Sequence, residues 1–269
     1  MSNKVILVLI DGLAWQTAHD CMGCLLGLKE AGRASLYRLE AALPSISRPL
    51  YECLLTGVPP VDSGVIHNHV TRLSNQTSLF HLASAAGRKT AAAAYHWISE
   101  LYNRSPYVAV RDRFTDDPGL PIQRGIFYHA DSYPDDHLFL DAEHLRRTYD
   151  PDFLFVHSMN VDDAGHRHGY DSPQYRNAAR KADLHLADHL LGWLEQGYQV
   201  IVTSDHGMNN DHSHGGVLPE ERLVPLFTLG SAFSHAGQAA VRQTELCGLA
   251  ADLLGIEHQK PRNPELLRP

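Results

Sequence analysis

Three short apolar runs in this chain, residues 5–10, 153–156 and 200–203, each lead into an aspartate at or shortly after the carboxyl end: Asp11, Asp162 and Asp205. Together with 90–94 and 226–229 they make the strand candidates. Helix-like stretches stand between them at 22–31, 50–55, 79–86, 135–147, 173–195 and 244–254, with Gly87 and Gly255 placed as C-terminal caps. Short β-branched runs alternating with helices specify an α/β fold, doubly wound, with a mostly parallel central sheet and helices on both faces. In such a sheet ligands bind in the crevice outside the strands' carboxyl ends, so aspartates far apart in sequence gather there.

Gathered carboxylates repel unless something neutralises them. Histidines accompany two of the three: Asp162-Asp163-Ala164-Gly165-His166 and Asp205-His206-Gly207, with His214-Gly215-Gly216 close behind. Imidazole and carboxylate together favour a borderline divalent ion, zinc before manganese or iron. Taken alone, a strand-end aspartate reads as a turn or cap and a His-Gly as a loop. Their joint placement on one face of one sheet is what carries the reading. Asp163, His168, Asp211 and His212 stand as alternative ligands.

A hydroxyl lies upstream. The segment from Leu43 to Gly57 reads as an approach strand, a turn and a short helix, with Ser47 at the N-cap position and Pro49 in the first turn. By itself Ser47 is a capping serine. A helix N-terminus is also an anion site, and a hydroxyl there beside a metal is a candidate nucleophile for phosphorus.

Composition narrows the class. At 269 residues, 43% hydrophobic and 20% charged, the chain fits one domain over 1–269, the weakly periodic stretch 98–133 forming a small insertion over the active-site edge. Within that stretch Arg104, Arg111, Arg113 and Arg124 read as solvated, or as contacts to a second anionic group. A net charge of −8 disfavours coating a nucleic-acid polymer or lying on a membrane surface. No apolar run approaches the roughly 20 residues of a membrane span. Four cysteines are too few for a disulfide scaffold, and Cys21-Met22-Gly23-Cys24 reads as helix packing. The opening Met1-Ser2-Asn3-Lys4 leads directly into a strand, and a cytoplasmic protein is expected.

These pieces, in this order, resemble the alkaline phosphatase superfamily, and most closely its nucleotide pyrophosphatase/phosphodiesterase branch. The resemblance rests on the opening strand with Asp11, the segment Pro44 to Gly57, Asp162 through His166, Asp205-His206-Gly207-Met208, and His214. It implies that Asp162, His166 and His214 hold one zinc, while Asp11, Asp205 and His206 hold a second with the Ser47 oxygen; manganese is the alternative ion. It also implies a role for Asn68, which falls 21 residues after Ser47. Its amide would donate to a non-bridging phosphoryl oxygen, helped by a main-chain N–H near Arg48. The implied activity is hydrolysis of a small phosphodiester or nucleotide-type ester through a phosphoseryl intermediate. Phosphonate hydrolase, phosphomonoesterase, phosphomutase and a degenerate phosphate-binding member are the alternatives. The branch generally carries threonine where Ser47 stands. A sulfatase is disfavoured, because Tyr51 occupies the place of the arginine that marks the oxidised serine or cysteine of those enzymes. The short chain, without the disulfide-rich additions of secreted members, points to an intracellular small-molecule substrate.

Overall fold

In the computed structural model, which describes residues 3–235 and 239–268, strand β1 (Lys4–Ile10) sends alternate side chains into two separate cores. Val5, Leu7 and Leu9 enter one; Ile6, Val8 and Ile10 enter the other. A strand buried on both faces needs helices on both, which its unbroken apolar sequence requires. Met1 and Ser2, the head of the opening tetrapeptide, lie outside the described residues.

From β1 the chain continues through α1 (Trp15–Cys21), α2 (Gly23–Glu30), β2 (Ala34–Glu40), α3 (Ser47–Thr56), α4 (Pro60–Ser63), α5 (Leu79–Ala85), β3 (Thr90–Tyr95) and α6 (His96–Tyr102). There follow α7 (Ala109–Asp112), β4 (Phe114–Asp116), β5 (Arg124–Tyr128), α8 (Asp135–Tyr149), β6 (Phe153–Ser158) and α9 (Asn160–His168). The last elements are α10 (Pro173–Glu195), β7 (Tyr198–Thr203), α11 (Pro219–Arg222), β8 (Leu223–Leu229) and α12 (Leu246–Leu253).

The eight strands form one sheet in the order β2-β8-β7-β1-β6-β3-β5-β4. From β7 to β5 all neighbours are parallel; β8 and β4 run against their partners and β2 against β8. The doubly wound, mostly parallel sheet is therefore as expected. One core joins Ala92, Phe153, Phe155 and Ile201 to Tyr51, Phe80 and Leu249 of α3, α5 and α12. The opposite core joins Ala91, Leu154, Val156 and Val200 to Leu25, Phe139, Leu186 and Trp193 of α2, α8 and α10.

The stretch 98–133 differs from the expected insertion, because it builds the sheet edge: β5 pairs parallel with β3, and β4 closes antiparallel on β5. Its arginines are held within it. Arg104 bonds Asp117 at 2.9 Å, Arg111 bonds Asp112 at 2.7 Å, Arg124 pairs with Asp116 at 3.0 Å, and Arg113 lies over the Phe114 ring. The expected helix 22–31 is α2, with α1 a further helix ahead of it that meets it at Met22, and all four cysteines are free. Among the described residues no helix is long and apolar enough to cross a membrane.

Candidate active site

Parallel register brings the motif pieces together. β1 lies between β7 and β6, with Leu9 level with Thr203 and Ile10 level with Ser158. Asp11 therefore leaves the sheet beside Ser204-Asp205-His206 on one side and the start of α9 on the other. The strand-end turns are stitched: Leu13 N–H donates to Ser204 Oγ at 2.9 Å, Gly12 N–H to Asp205 Oδ1 at 3.3 Å, and Gln243 Nε2 to the Asp205 carbonyl at 2.7 Å. Gly12 has φ +70°, and a β-carbon there would stand 2.8 Å from Cα of Asp162. Only glycine lets the end of β1 approach α9 this closely. Asp162 and His166, four apart on α9, share a helix face.

The aspartates and histidines close into a cage. His206 Nε2 lies 3.4 Å from Asp11 Oδ1 and 3.2 Å from Asp205 Oδ2. His166 Nε2 lies 3.3 Å from Asp162 Oδ2, His214 Nε2 lies 3.8 Å from Asp162 Oδ1, and the two Nε2 atoms are 3.2 Å apart. Two sets of ligand atoms, from Asp11, Asp205 and His206 and from Asp162, His206 and His214, each fall within 4.8 Å of one another. His206 belongs to both, its ring stacked on His214 with centroids 3.6 Å apart.

Each of the three imidazoles gives its Nδ1–H to a backbone carbonyl: His206 to Gly207 at 2.9 Å, His214 to Ser45 at 2.8 Å and His166 to His212 at 2.9 Å. Those bonds hold a proton on each Nδ1 and turn Nε2 inward, where it serves a cation as a lone pair or, protonated, gives a hydrogen bond to a carboxylate as His166 does to Asp162, the arrangement that supports metal-ligating histidines. The carboxylates match it. Asp11 Oδ1, Asp162 Oδ1 and Asp205 Oδ2 are buried without any hydrogen-bond partner. Burial and the neighbouring Asp162 push Asp11 up to about 7, and burial with Asp11 and Asp162 raises Asp205 well above the carboxylate range. Burial works against Asp162 too, yet its hydrogen bond from His166 and the charges of the nearby histidines hold it low. In return the bond to Asp162 lifts His166 to about 9. Such a cluster demands positive charge at its centre, and its donors fit divalent cations.

Ser47 faces this cage. It is the first residue of α3, after Ile46 at the N-cap, and its side chain makes no capping bond. The capping expectation is thereby corrected: Ser47 Oγ lies 3.0 Å from His206 Nε2. Asn68 stands beside the same helix end, but Arg48 N–H donates to Asn68 Oδ1 at 3.0 Å. That main-chain N–H is thus spent on orienting Asn68, whose Nδ2 remains the donor group. Arg48 itself is buried, bonded to Glu100 at 2.6 Å and lying over the Trp97 ring.

Of the alternative ligands, Asp163 pairs with Arg167 at 2.9 Å, His212 Nδ1 bonds the His166 carbonyl at 3.1 Å, and Asp211 and His168 are exposed. Two residues escaped the sequence reading. Tyr51 Oη donates to Asp11 Oδ2, and His157 Nε2–H reaches the same oxygen at 3.1 Å. His157 is kept neutral, lowered to about 3 by burial. With both donors on Oδ2, Asp11 Oδ1 is left for the cage. A lone histidine near the end of the buried run Phe153–Ser158 was the available signal.

A parallel sheet carrying carboxylates, imidazoles and a helix-borne hydroxyl at its carboxyl edge defines an alkaline phosphatase superfamily fold. Within it the chain belongs to the type I phosphodiesterase / nucleotide pyrophosphatase family, whose sequence model matches residues 5–226. Relatives include the human GPI ethanolamine phosphate transferase 2, catalytic subunit, 25% identical over 99% of this chain and 28% of the relative. Human ectonucleotide pyrophosphatase/phosphodiesterase family member 7 is 24% identical over 84% of this chain and 52% of its own length. The chain thus spans about a quarter to half of these relatives. Among solved structures, murine ectonucleotide pyrophosphatase/phosphodiesterase 5 superposes with a TM-score of 0.75 at 15% identity, covering 98% of this chain and 100% of the other. Family membership supports an enzyme of the hydrolase or phosphoryl-transferase type.

Proposed function

We propose that this protein is a two-metal hydrolase of a small phosphodiester or nucleotide-type ester, acting through a phosphoseryl intermediate at Ser47. The observation that carries the reading is the Ser47 hydroxyl, 3.0 Å from His206 Nε2 at the wall of a cage with three unpartnered carboxylate oxygens. Asp162, His166 and His214 would hold one cation, and Asp11, Asp205 and His206 the other with the Ser47 oxygen; the mixed N/O donor set favours zinc, then manganese. When bound, such a pair supplies Lewis acidity and neutralises charge on attacking and departing oxygens.

The chain's own groups set the geometry. Ser47 Oγ bonds to phosphorus as the bond from phosphorus to the leaving oxygen breaks, and water later cleaves the Oγ–P bond to restore the hydroxyl. Asn68 Nδ2, oriented by the Arg48 N–H, donates to a non-bridging oxygen. Tyr51 and His157 hold Asp11 by one oxygen. The free state of all four cysteines supports a reducing, cytoplasmic setting as part of the proposal.

Similarity to a phosphoethanolamine transferase over 99% of the chain favours a second reading, in which an alcohol rather than water resolves the intermediate. Bis(p-nitrophenyl) phosphate and AMP esters, assayed with zinc and with added small alcohols, test both. A p-nitrophenylphosphoryl or nucleotidyl adduct on Ser47 by peptide mass spectrometry supports the shared chemistry, and mixed diesters that carry the added alcohol select transfer. Turnover without any adduct on quenched enzyme, undiminished in Ser47→Ala, contradicts both.

A further inference from the structure

The three cage imidazoles are not held equally. The side chains of His206 and His214 are 0% and 8% exposed, so packing fixes their rings, whereas His166 is 45% exposed. What restrains His166 is residue 212. His166 Nδ1–H donates to the His212 carbonyl at 2.9 Å, and His212 Nδ1–H donates back to the His166 carbonyl at 3.1 Å. His212 takes φ +59°, a left-handed conformation that is sterically unfavourable for a residue with a β-carbon. Strain of this kind persists where surrounding bonds over-determine it.

The same loop grips the same helix end further along. Tyr170 N–H donates to the Asn209 carbonyl at 3.2 Å; Asp171 N–H donates to Asn210 Oδ1 at 2.9 Å while Asn210 Nδ2 donates to Asp171 Oδ2 at 2.6 Å. Two positions beyond His212 the loop supplies His214, so α9 and the loop deliver their histidines as one unit.

We propose that His212 is a positioning residue: its carbonyl and ring together lock His166 in the Nδ1–H tautomer, with Nε2 turned toward Asp162 and His214, and thereby set the affinity of that half of the cage for its divalent cation. The proposal rests on the two-cation reading above. It gives His212 work different from the ligand role it shared as a candidate with His214.

Zinc titration against a competing chelator, on chelator-stripped full-length protein, tests it. Wild type takes up two zinc ions. His212→Ala retains one at wild-type affinity and binds the other about 10–100-fold more weakly, the range for losing an outer-shell partner. Its zinc-free unfolding temperature stays at the wild-type value, because residue 212 is exposed. His212→Asn, which tolerates the left-handed backbone and keeps an N–H donor, recovers part of the loss. Equal affinities for both ions in His212→Ala and wild type overturn the proposal, as does a matched weakening of both sites with a lower zinc-free unfolding temperature. A wild type that takes up no zinc overturns instead the two-cation reading on which it stands.

Discussion

The hydroxyl oxygen of Ser47 stands 3.0 Å from Nε2 of His206, across 159 positions of sequence. Ser47 is delivered by the start of α3 and His206 by the turn after β7, so the contact depends on the whole sheet edge being in register. Replacing Ser47 with alanine removes only the hydroxyl from a helix start that has no side-chain cap to lose. Turnover falls by at least about 10⁴-fold, as for other enzymes stripped of their nucleophile. Zinc uptake and unfolding temperature change little. Wild-type turnover in Ser47→Ala contradicts the covalent route.

Asn68 is oriented by a bond it accepts rather than one it gives, from Arg48 N–H at 3.0 Å. Asn68→Ala lowers kcat by about 10²–10³-fold, the cost of one oxyanion donor. It also leaves a helix-start N–H unpaired, costing about 1 kcal/mol of stability. A loss of turnover below about threefold removes Asn68 from the site.

His214 ties the nucleophile loop to the cage through its bond to the Ser45 carbonyl at 2.8 Å. His214→Ala cuts the chemical step by orders of magnitude and lowers zinc uptake to one ion per chain, with the circular dichroism of the fold retained. Unchanged uptake excludes His214 as a ligand.

How much of this was legible in the sequence follows from what each residue depends on. Asp11, Asp205 and His206 could be read because a strand end in a parallel sheet has one destination. Asp162, His166 and His214 followed from the same logic, and Asn68 from family spacing. Tyr51 and His157 could not, because each is a single polar group in an apolar stretch and acquires its role from its place in the fold, the register setting His157 level with Leu9, two residues before Asp11. The capping reading of Ser47 failed because the helix begins one residue earlier than that reading places it, at Ser47 itself, with Ile46 as the N-cap. Strands β4 and β5 were hidden by length and by Arg124 and Gly125, whose neighbourhood reads as a loop until β3 pairs with it.

Away from the cage, Asp135 offers a pH test. Its carboxylate accepts from Ser158 Oγ at 2.6 Å, its other oxygen has no partner, and burial pushes it from 3.8 up to about 7. A carboxyl raised in the folded state binds its proton more tightly there than when unfolded. Its contribution to stability is present below about pH 4 and is lost as pH rises through about 7. Asp135→Asn keeps an acceptor for Ser158 and abolishes the titration. Chelator-stripped variant and wild type, compared by urea unfolding from pH 5 to 8, then diverge: wild type loses more stability toward the alkaline end. Parallel curves exclude the titration of Asp135.

The central claim is that the cage holds paired divalent cations against the Ser47 oxygen, and anomalous diffraction at the zinc edge from crystals grown with zinc tests it most directly. Two peaks are predicted, one bounded by Asp11, Asp205, His206 and Ser47 Oγ, the other by Asp162, His166 and His214. A map with no peak among these side chains, from protein that turns over phosphodiesters, would contradict the account.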